Sequence, residues 1–427
     1  MNQKKLRGII SMCVVVFAIS QCQSQFRPPQ VEVTENDTVG YTFLQSDSNY
    51  IQNASTLLPF LQRLFIQRVS GGERIQIVHI GDSHILGNFM THETRVRMQN
   101  AFGDAGRGLV FPYKLAGSNG PRDFTVESNS RWIGNNCQRD QSPVSNYGIS
   151  GFSLETTTPE GETTIHLRDS SVSHASPFTK VTVFYRKAPD AFDFELFDDQ
   201  TNQTARRLIE DDFSSTFFFD RPVSQFSIQH KQVGEEQKRI QIDGFCIENE
   251  LSGIVYHSIG VNGARYLDFA RTRLFAPEIA KLNPDLIIIS MGTNEAQGES
   301  GPKGLYQQMH DLITQIQTEA PGVPILLTTP ADSYLRRKGF NPYMPKIASI
   351  IRRYAEEHGL ALWDLYSISG GPQSAQWWKS TGLLSRDSVH YTKRGYAAQG
   401  KLFYLSLIEE YNHFVEELAR EASGEDE

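Results

Sequence analysis

Two short apolar runs constrain the fold of this chain more than any other feature. Ile75–Ile80 and Asp285–Ser290 are mostly apolar, and each is followed by a turn that contains glycine. A short, continuous apolar run bounded by turn residues is typical of a buried strand. Because helical segments separate these runs from one another along the chain, they predict a parallel sheet with right-handed crossovers.

The α/β pattern is interrupted in the middle of the chain. From about Tyr113 to Ile247, short stretches of period-two alternation are separated by turn residues, which predicts an all-β unit. Strand–helix alternation returns after Gly253, with one helix predicted over Ala264–Leu282. We therefore expect a leader (1–25), one α/β domain in two parts (26–112 and 251–420), an inserted β domain (113–250) and an acidic tail (421–427).

The amino terminus has the pattern of an export signal. Three cations within the first seven residues precede the apolar core Gly8–Ile19, which is too short for a membrane span. Cleavage near Gln25 would release the chain, whereas a lipid on Cys22 would anchor it. In an oxidising compartment, Cys137 and Cys246 either pair or stay as separate buried thiols.

A serine follows the first apolar strand. Ser83 lies in Gly81-Asp82-Ser83-His84, at the strand's carboxyl end, where open α/β sheets place their ligands. A nucleophilic serine needs an adjacent base, histidine suits that task near neutral pH, and an acid must orient the ring. Asp387 and His390, three positions apart in a loop before the final helix, can supply both groups. Asp332, which follows another strand, is the competing acid.

Two further strand ends offer hydrogen-bond donors for an oxyanion. Gly263 lies in a turn after one strand, and Asn294 lies in Met291-Gly292-Thr293-Asn294-Glu295 after another. Together with the backbone N–H of Ser83, the Gly263 N–H and the Asn294 side-chain amide would present three donors to developing negative charge.

Taken in chain order, these motifs resemble the blocks of the SGNH hydrolases of the GDSL family. Gly81-Asp82-Ser83 matches block one, Gly263 block two, Asn294 block three, and Asp387 with His390 block five. The resemblance implies a flavodoxin-like, three-layer parallel sheet. It also implies a triad of Ser83, Asp387 and His390, an oxyanion hole of Ser83, Gly263 and Asn294, and no metal or organic cofactor.

Four sequence motifs resemble those of the peptidoglycan O-acetylesterases of the Ape type in Gram-negative bacteria. They are Gly81–His84, Phe102–Gly108, Ser258–Ala264 and Met291–Ala296. Those enzymes carry a carbohydrate-binding-like β module between blocks one and two, where this chain has its inserted region. The resemblance implies that acetyl groups are removed from the muramic acid C6 hydroxyl. It also implies a periplasmic location or, through Cys22, a lipid anchor at the outer membrane.

Other interpretations stay open at this level. Acetylated xylan or another polysaccharide presents a similar ester, and an acceptor sugar in place of water would make the protein an O-acetyltransferase. A non-catalytic wall-binding protein on a hydrolase scaffold is a further alternative. Asp82 and His84 also fit the Asp-x-His metal pattern of metallophosphoesterases, although the later blocks of that family are missing. The net charge of −8, without a basic patch, argues against nucleic acid as the main partner.

Overall fold

The computed structural model describes residues 29–168, 176–298, 301–335 and 339–423. The predicted leader with Cys22, and the last four residues of the predicted acidic tail, lie outside these ranges. None of the helices in the described part of the chain has the length and apolar character that a membrane crossing requires.

The strands in the described ranges form one mixed six-stranded sheet and two antiparallel sheets. They are, in chain order, β1 (Ile51–Gln52), β2 (Arg74–Gly81), β3 (Gly108–Val110), β4 (Phe124–Ser128), β5 (Ile133–Asn136), β6 (Phe152–Thr156), β7 (Glu160–Leu167), β8 (Phe178–Tyr185), β9 (Asp193–Asp198), β10 (Gln203–Thr204), β11 (Arg206–Glu210), β12 (Ser214–Val223), β13 (Gln225–Lys231), β14 (Ile240–Glu248), β15 (Gly253–Gly260), β16 (Leu286–Ser290), β17 (Ile325–Thr328) and β18 (Ala361–Trp363).

The α-helices of the described ranges alternate with the strands of the six-stranded sheet. They are α1 (Leu58–Ser70), α2 (Ser83–Leu86), α3 (Phe89–Phe102), α4 (Tyr266–Ala270), α5 (Phe275–Lys281), α6 (Thr293–Gln297), α7 (Leu305–Glu319), α8 (Met344–Glu357), α9 (Leu365–Ile368), α10 (Ala375–Ser380) and α11 (Lys393–Ser423).

The six-stranded sheet has the order β1-β18-β17-β16-β2-β15. All neighbours are parallel except β1, which pairs antiparallel with β18 at the edge. Numbered by chain position, the parallel strands run 2-1-3-4-5, the flavodoxin-like order, in which ligands bind at the switch point between the first and third strands. Here that point lies between the carboxyl ends of β2 and β16. The predicted α/β fold class is confirmed.

The apolar run of β2 is explained by burial on both faces of the sheet. Val78 and Ile80 belong to one hydrophobic cluster, while Ile75 and Ile77 belong to the other. Strands that are buried on both sides show no polar alternation. The first cluster continues into the inserted region through residues such as Phe152, so the two parts share a core.

The inserted region consists of the two antiparallel sheets. The five-stranded sheet has the order β10-β9-β13-β7-β4, and the seven-stranded sheet has the order β11-β12-β8-β14-β6-β5 with β3 beside β14. An inserted all-β unit is therefore confirmed. Strand β3 lies before the predicted boundary at residue 112, yet it pairs with β14. The two central cysteines, Cys137 and Cys246, are separate buried thiols, the second of the two arrangements considered above.

The prediction of a single helix over Ala264–Leu282 is wrong. Helix α4 ends at Ala270, and α5 begins at Phe275. Between them, the Arg271 carbonyl accepts a hydrogen bond from Ser145 N–H at 2.9 Å, and Arg273 N–H donates to the Ser145 carbonyl at 3.0 Å. Backbone groups that a continuous helix would pair internally are instead paired with the inserted region.

Candidate active site

Ser83 lies at the amino end of α2, directly after β2 and Asp82. A Cβ on Gly81 would lie 2.7 Å from the Ser290 carbonyl oxygen, so the close approach of β16 requires glycine there. The Asp82 carboxylate caps α2 by accepting the His84 N–H at 2.9 Å. This tight turn places Ser83 at the switch point of the sheet.

The loop that carries Asp387 and His390 is held in an unusual conformation. Ser388 is buried and has φ +62°, in the left-handed region that non-glycine residues rarely adopt. Its carbonyl accepts the Tyr334 N–H at 2.9 Å, and its hydroxyl accepts from Lys379 Nζ at 2.9 Å. Backbone strain of this kind persists only where surrounding contacts enforce it, and it often marks functional sites. The sequence contains no signal that picks out Ser388 or Lys379.

The structure brings the predicted serine, histidine and acid into one chain of hydrogen bonds. The Ser83 Oγ lies 2.8 Å from His390 Nε2, and His390 Nδ1 lies 2.6 Å from Asp387 Oδ2. The competing acid is elsewhere, because the Asp332 carboxylate accepts the Ala375 N–H at 3.2 Å. The arrangement is that of a nucleophile, a base and an orienting acid.

The hydrogen bonds around Asp387 favour the ionised form of its carboxyl group. Its burial opposes charge, but Oδ1 accepts hydrogen bonds from the Ser385 hydroxyl at 2.6 Å and from the N–H groups of Val389 and His390 at 3.0 Å each. These donors and the His390 ring hold the pKa of the carboxyl well below its usual range. An ionised Asp387 keeps the proton on Nδ1 of His390, which leaves Nε2 free to accept from Ser83.

Two of the three expected oxyanion donors are free. In the described part of the chain, neither Ser83 N–H nor Gly263 N–H donates to another group, and the φ of Gly263 is +75°. Asn294 lies beside them, but both hydrogens of its amide are engaged. Its Nδ2 donates to Asp82 Oδ2 at 3.1 Å and to the Ala264 carbonyl at 2.9 Å.

Asp82 and His84, the polar neighbours of Ser83, make hydrogen bonds that hold the turn and the residues around it. Burial raises the pKa of Asp82 to about 7, and its two oxygens are used by the His84 N–H and by Asn294. The His84 ring packs 5.1 Å from the His390 ring, and its Nδ1 lies 2.9 Å from the Tyr396 hydroxyl. Burial lowers the pKa of His84 to about 3, so the ring is neutral near pH 7.

The two polar residues of the Asp-x-His segment have hydrogen-bond partners in the protein. Asp82 Oδ1 accepts the His84 N–H at 2.9 Å, whereas the His84 ring contacts the Tyr396 hydroxyl at 2.9 Å. Within the described residues, no three His, Cys, Asp or Glu side chains are grouped so that they could hold a metal ion.

Comparison with known proteins gives a family match over part of the chain and a similar fold. Residues 245–398 match the GDSL-like Lipase/Acylhydrolase family. No curated protein sequence matches the chain. A solved structure described as "Peptidoglycan O-acetylesterase in action, 5 min" is similar with a TM-score of 0.68 and 22% identity, over 83% of this chain and 96% of that chain.

Two smaller structures resemble parts of the chain. An acetyl xylan esterase has a TM-score of 0.30 and 18% identity over 36% of this chain and 81% of its own. A lipase/acylhydrolase from Enterococcus faecalis has a TM-score of 0.29 and 19% identity over 37% of this chain and 77% of its own. Residues 245–398 of this chain are thus similar to the GDSL-like acylhydrolases, and the chain shares its fold with the structure described as a peptidoglycan O-acetylesterase.

Proposed function

We propose that the protein is a serine esterase that removes O-acetyl groups from peptidoglycan. The observation that carries the chemistry is the 2.8 Å contact between Ser83 Oγ and His390 Nε2, with Asp387 on the other ring nitrogen. The substrate class is supported by the likeness to a peptidoglycan O-acetylesterase, which extends over 83% of this chain and so reaches into the inserted region.

The proposed reaction proceeds through an acetyl-serine. His390 accepts the Ser83 proton while Oγ attacks the acetyl carbonyl carbon, and Asp387 stabilises the imidazolium. The tetrahedral intermediate collapses when the bond to the sugar oxygen breaks and His390 protonates that oxygen. A water molecule, deprotonated by His390, then attacks the acetyl-serine and releases acetate.

The carbonyl oxygen becomes negatively charged in both halves of this reaction. The N–H groups of Ser83 and Gly263, which donate to no other group in the described residues, are the backbone donors that we propose for it. We propose that Asn294 joins them by sharing the N–H that donates to Asp82 in this structure. Asp82 would then act as a positioning residue that holds the amide close to the oxyanion.

Acetate release from two polymers tests the function. O-acetylated peptidoglycan and acetylated xylan are incubated with the protein and with Ser83→Ala, and free acetate is measured. We expect faster release from peptidoglycan and none with the variant. Faster release from xylan would make the protein an acetylxylan esterase. Binding to wall polymer without release would favour the non-catalytic alternative, and acetylated acceptor sugar among the products would favour transfer.

We also propose that the protein is exported, and that it is either released into the periplasm by cleavage near Gln25 or anchored through a lipid on Cys22. The support is the cationic and apolar pattern before Cys22, a segment outside the described residues. Fractionation of cells that express Cys22→Ser tests the anchor. A wild-type protein found in membranes and a soluble variant would support it, whereas a soluble wild type would favour cleavage near Gln25.

A further inference from the structure

The inserted region reaches the loop that carries the oxyanion glycine. In this loop, Asn262 Nδ2 donates to Asn119 Oδ1 at 2.6 Å and to Ser118 Oγ at 3.3 Å. A methyl group added to Gly263 would lie 3.6 Å from Cδ and 3.7 Å from Nε2 of Gln138. Side chains from two loops of the inserted region therefore border one side of the candidate active site.

Gln138 is presented by a rigid turn. Its backbone N–H donates to Asn136 Oδ1 at 3.1 Å. The Arg271 guanidinium of the hydrolase part donates to the Cys137 carbonyl at 3.0 Å and to the Asp140 carbonyl at 2.6 Å. The backbone on both sides of Gln138 is thus tied to the body of the enzyme. The backbone of a residue supported in this way loses little conformational freedom when the side chain binds a ligand.

The Gln138 side chain has no hydrogen-bond partner in the part of the chain that the structure describes. Its half-buried carboxamide lies against Gly263. A carboxamide offers both donors and an acceptor. Beside an active site, such a group is available for a substrate that presents both kinds of partner.

The chemistry of an acetyl ester restricts what that partner is. The acetyl group has an apolar methyl and one carbonyl oxygen, and in the proposed reaction that oxygen accepts from the N–H groups of Ser83 and Gly263. The sugar, by contrast, has hydroxyl groups and, in peptidoglycan, N-acetyl groups that donate and accept. We propose that Gln138 hydrogen-bonds the sugar that bears the acetyl group, so that the inserted region supplies a specificity-determining residue. This inference rests on the proposed esterase function.

The test compares a substrate with a sugar and a substrate without one. Values of kcat and KM are measured for acetate release from soluble O-acetylated peptidoglycan fragments, from acetylated xylan and from p-nitrophenyl acetate. We expect Gln138→Ala to lower the ratio of kcat/KM for the better glycan to that for p-nitrophenyl acetate about tenfold, the effect of one hydrogen bond. Arg139→Gln, a change at the exposed neighbour in the same turn, is the matched control and keeps the ratio unchanged.

The outcomes separate this inference from the proposed function. An unchanged ratio in Gln138→Ala, or the same loss in Arg139→Gln, would overturn the role of Gln138. A wild type that cleaves p-nitrophenyl acetate but neither glycan would also overturn it, while the esterase assignment would stand. A wild type inactive on all three substrates would overturn the esterase proposal itself.

Discussion

Ser83 has two polar neighbours in sequence, and neither contacts its hydroxyl. Asp82 turns inward to the His84 N–H and to Asn294, and the His84 ring turns to Tyr396. The group that contacts Ser83 Oγ is His390, 307 positions further along the chain. A two-residue motif around a serine is therefore a poor guide to its base, because a sharp turn directs adjacent side chains to different sides.

Ser83→Ala is expected to abolish turnover and to leave the fold intact. The Ser83 hydroxyl is the proposed nucleophile, and its hydrogen bond is to His390 rather than to a structural group. The measurements are p-nitrophenyl acetate hydrolysis and a thermal melt. Full activity in the variant would show that the acyl group is carried elsewhere.

Asn294→Ala is expected to lower kcat on the order of 10²–10³, the usual effect of removing one oxyanion donor. Asn283→Ala serves as a control, since the exposed Asn283 side chain donates to the nearby Lys281 carbonyl and not to a group of the candidate site. Steady-state kinetics on p-nitrophenyl acetate measure both variants. An unchanged kcat for Asn294→Ala would limit the oxyanion hole to the two backbone donors.

At the scale of elements, the site depends on short connections between strands and helices. The turn after β2 carries Ser83, the loop after β15 carries Gly263, and the loop before α11 carries His390. Two of these connections contain backbone that is costly for a side-chain-bearing residue, at Gly263 with φ +75° and at Ser388 with φ +62°. The sheet brings these loops together at its carboxyl edge, and the backbone conformation of each loop orients the reacting groups.

Gly263→Ala tests whether the loop conformation matters for activity. An alanine in the left-handed region costs about 1–2 kcal/mol, and relaxation of the loop would turn the N–H away from the oxyanion. We expect at least a tenfold loss of kcat with a modest fall in Tm. Gly322→Ala is the matched control, because Gly322 has φ +78° in an exposed turn with nothing within 4 Å of an added Cβ. Equal kcat values for the two variants would separate the conformation of Gly263 from catalysis.

At the scale of the whole molecule, a buried charge cluster joins the inserted region to the hydrolase part. Arg186 contacts Asp243 of β14 at 2.7 Å and Glu278 of α5 at 3.1 Å. Two carboxyl groups thus share one guanidinium in a buried site. Burial raises the pKa of Asp243 to about 6 and that of Glu278 to about 8.

This cluster predicts that stability falls as the pH rises. The folded protein holds a proton on Glu278 that the unfolded chain, with a carboxyl pKa of 4.5, has already lost. The stabilisation is therefore complete below about pH 4.5 and is lost as the pH rises toward about 8. Glu278→Gln imitates the protonated form, so its Tm should fall less than that of the wild type between pH 5 and pH 8.5.

The control for this prediction is Glu319→Gln, a change at an exposed acid on α7. It should show the same fall in Tm with pH as the wild type. If Glu278→Gln follows the same curve, the cluster does not control the pH dependence of stability. Activity at a fixed pH should be the same in all three proteins, since neither residue lies at the candidate site.

Much of the fold follows from patterns that are local in sequence. Mostly apolar runs such as Ile75–Ile80 predict strands because a strand buried on both faces is lined mainly by apolar side chains. Period-two alternation predicted the inserted sheets, because a strand that buries one face alternates apolar and polar side chains. The block motifs predicted which residues meet at the switch point, and the structure places Ser83, His390 and Asp387 in contact there.

Only the tertiary structure decided the contacts between distant segments. It kept Cys137 and Cys246 apart, and it divided the segment Ala264–Leu282 into two helices through contacts with Ser145. It also showed that the amide of Asn294 is already engaged and that the inserted region borders the site. Such choices depend on which groups packing brings within hydrogen-bond distance, and residues more than 100 positions apart carry no local pattern that records it.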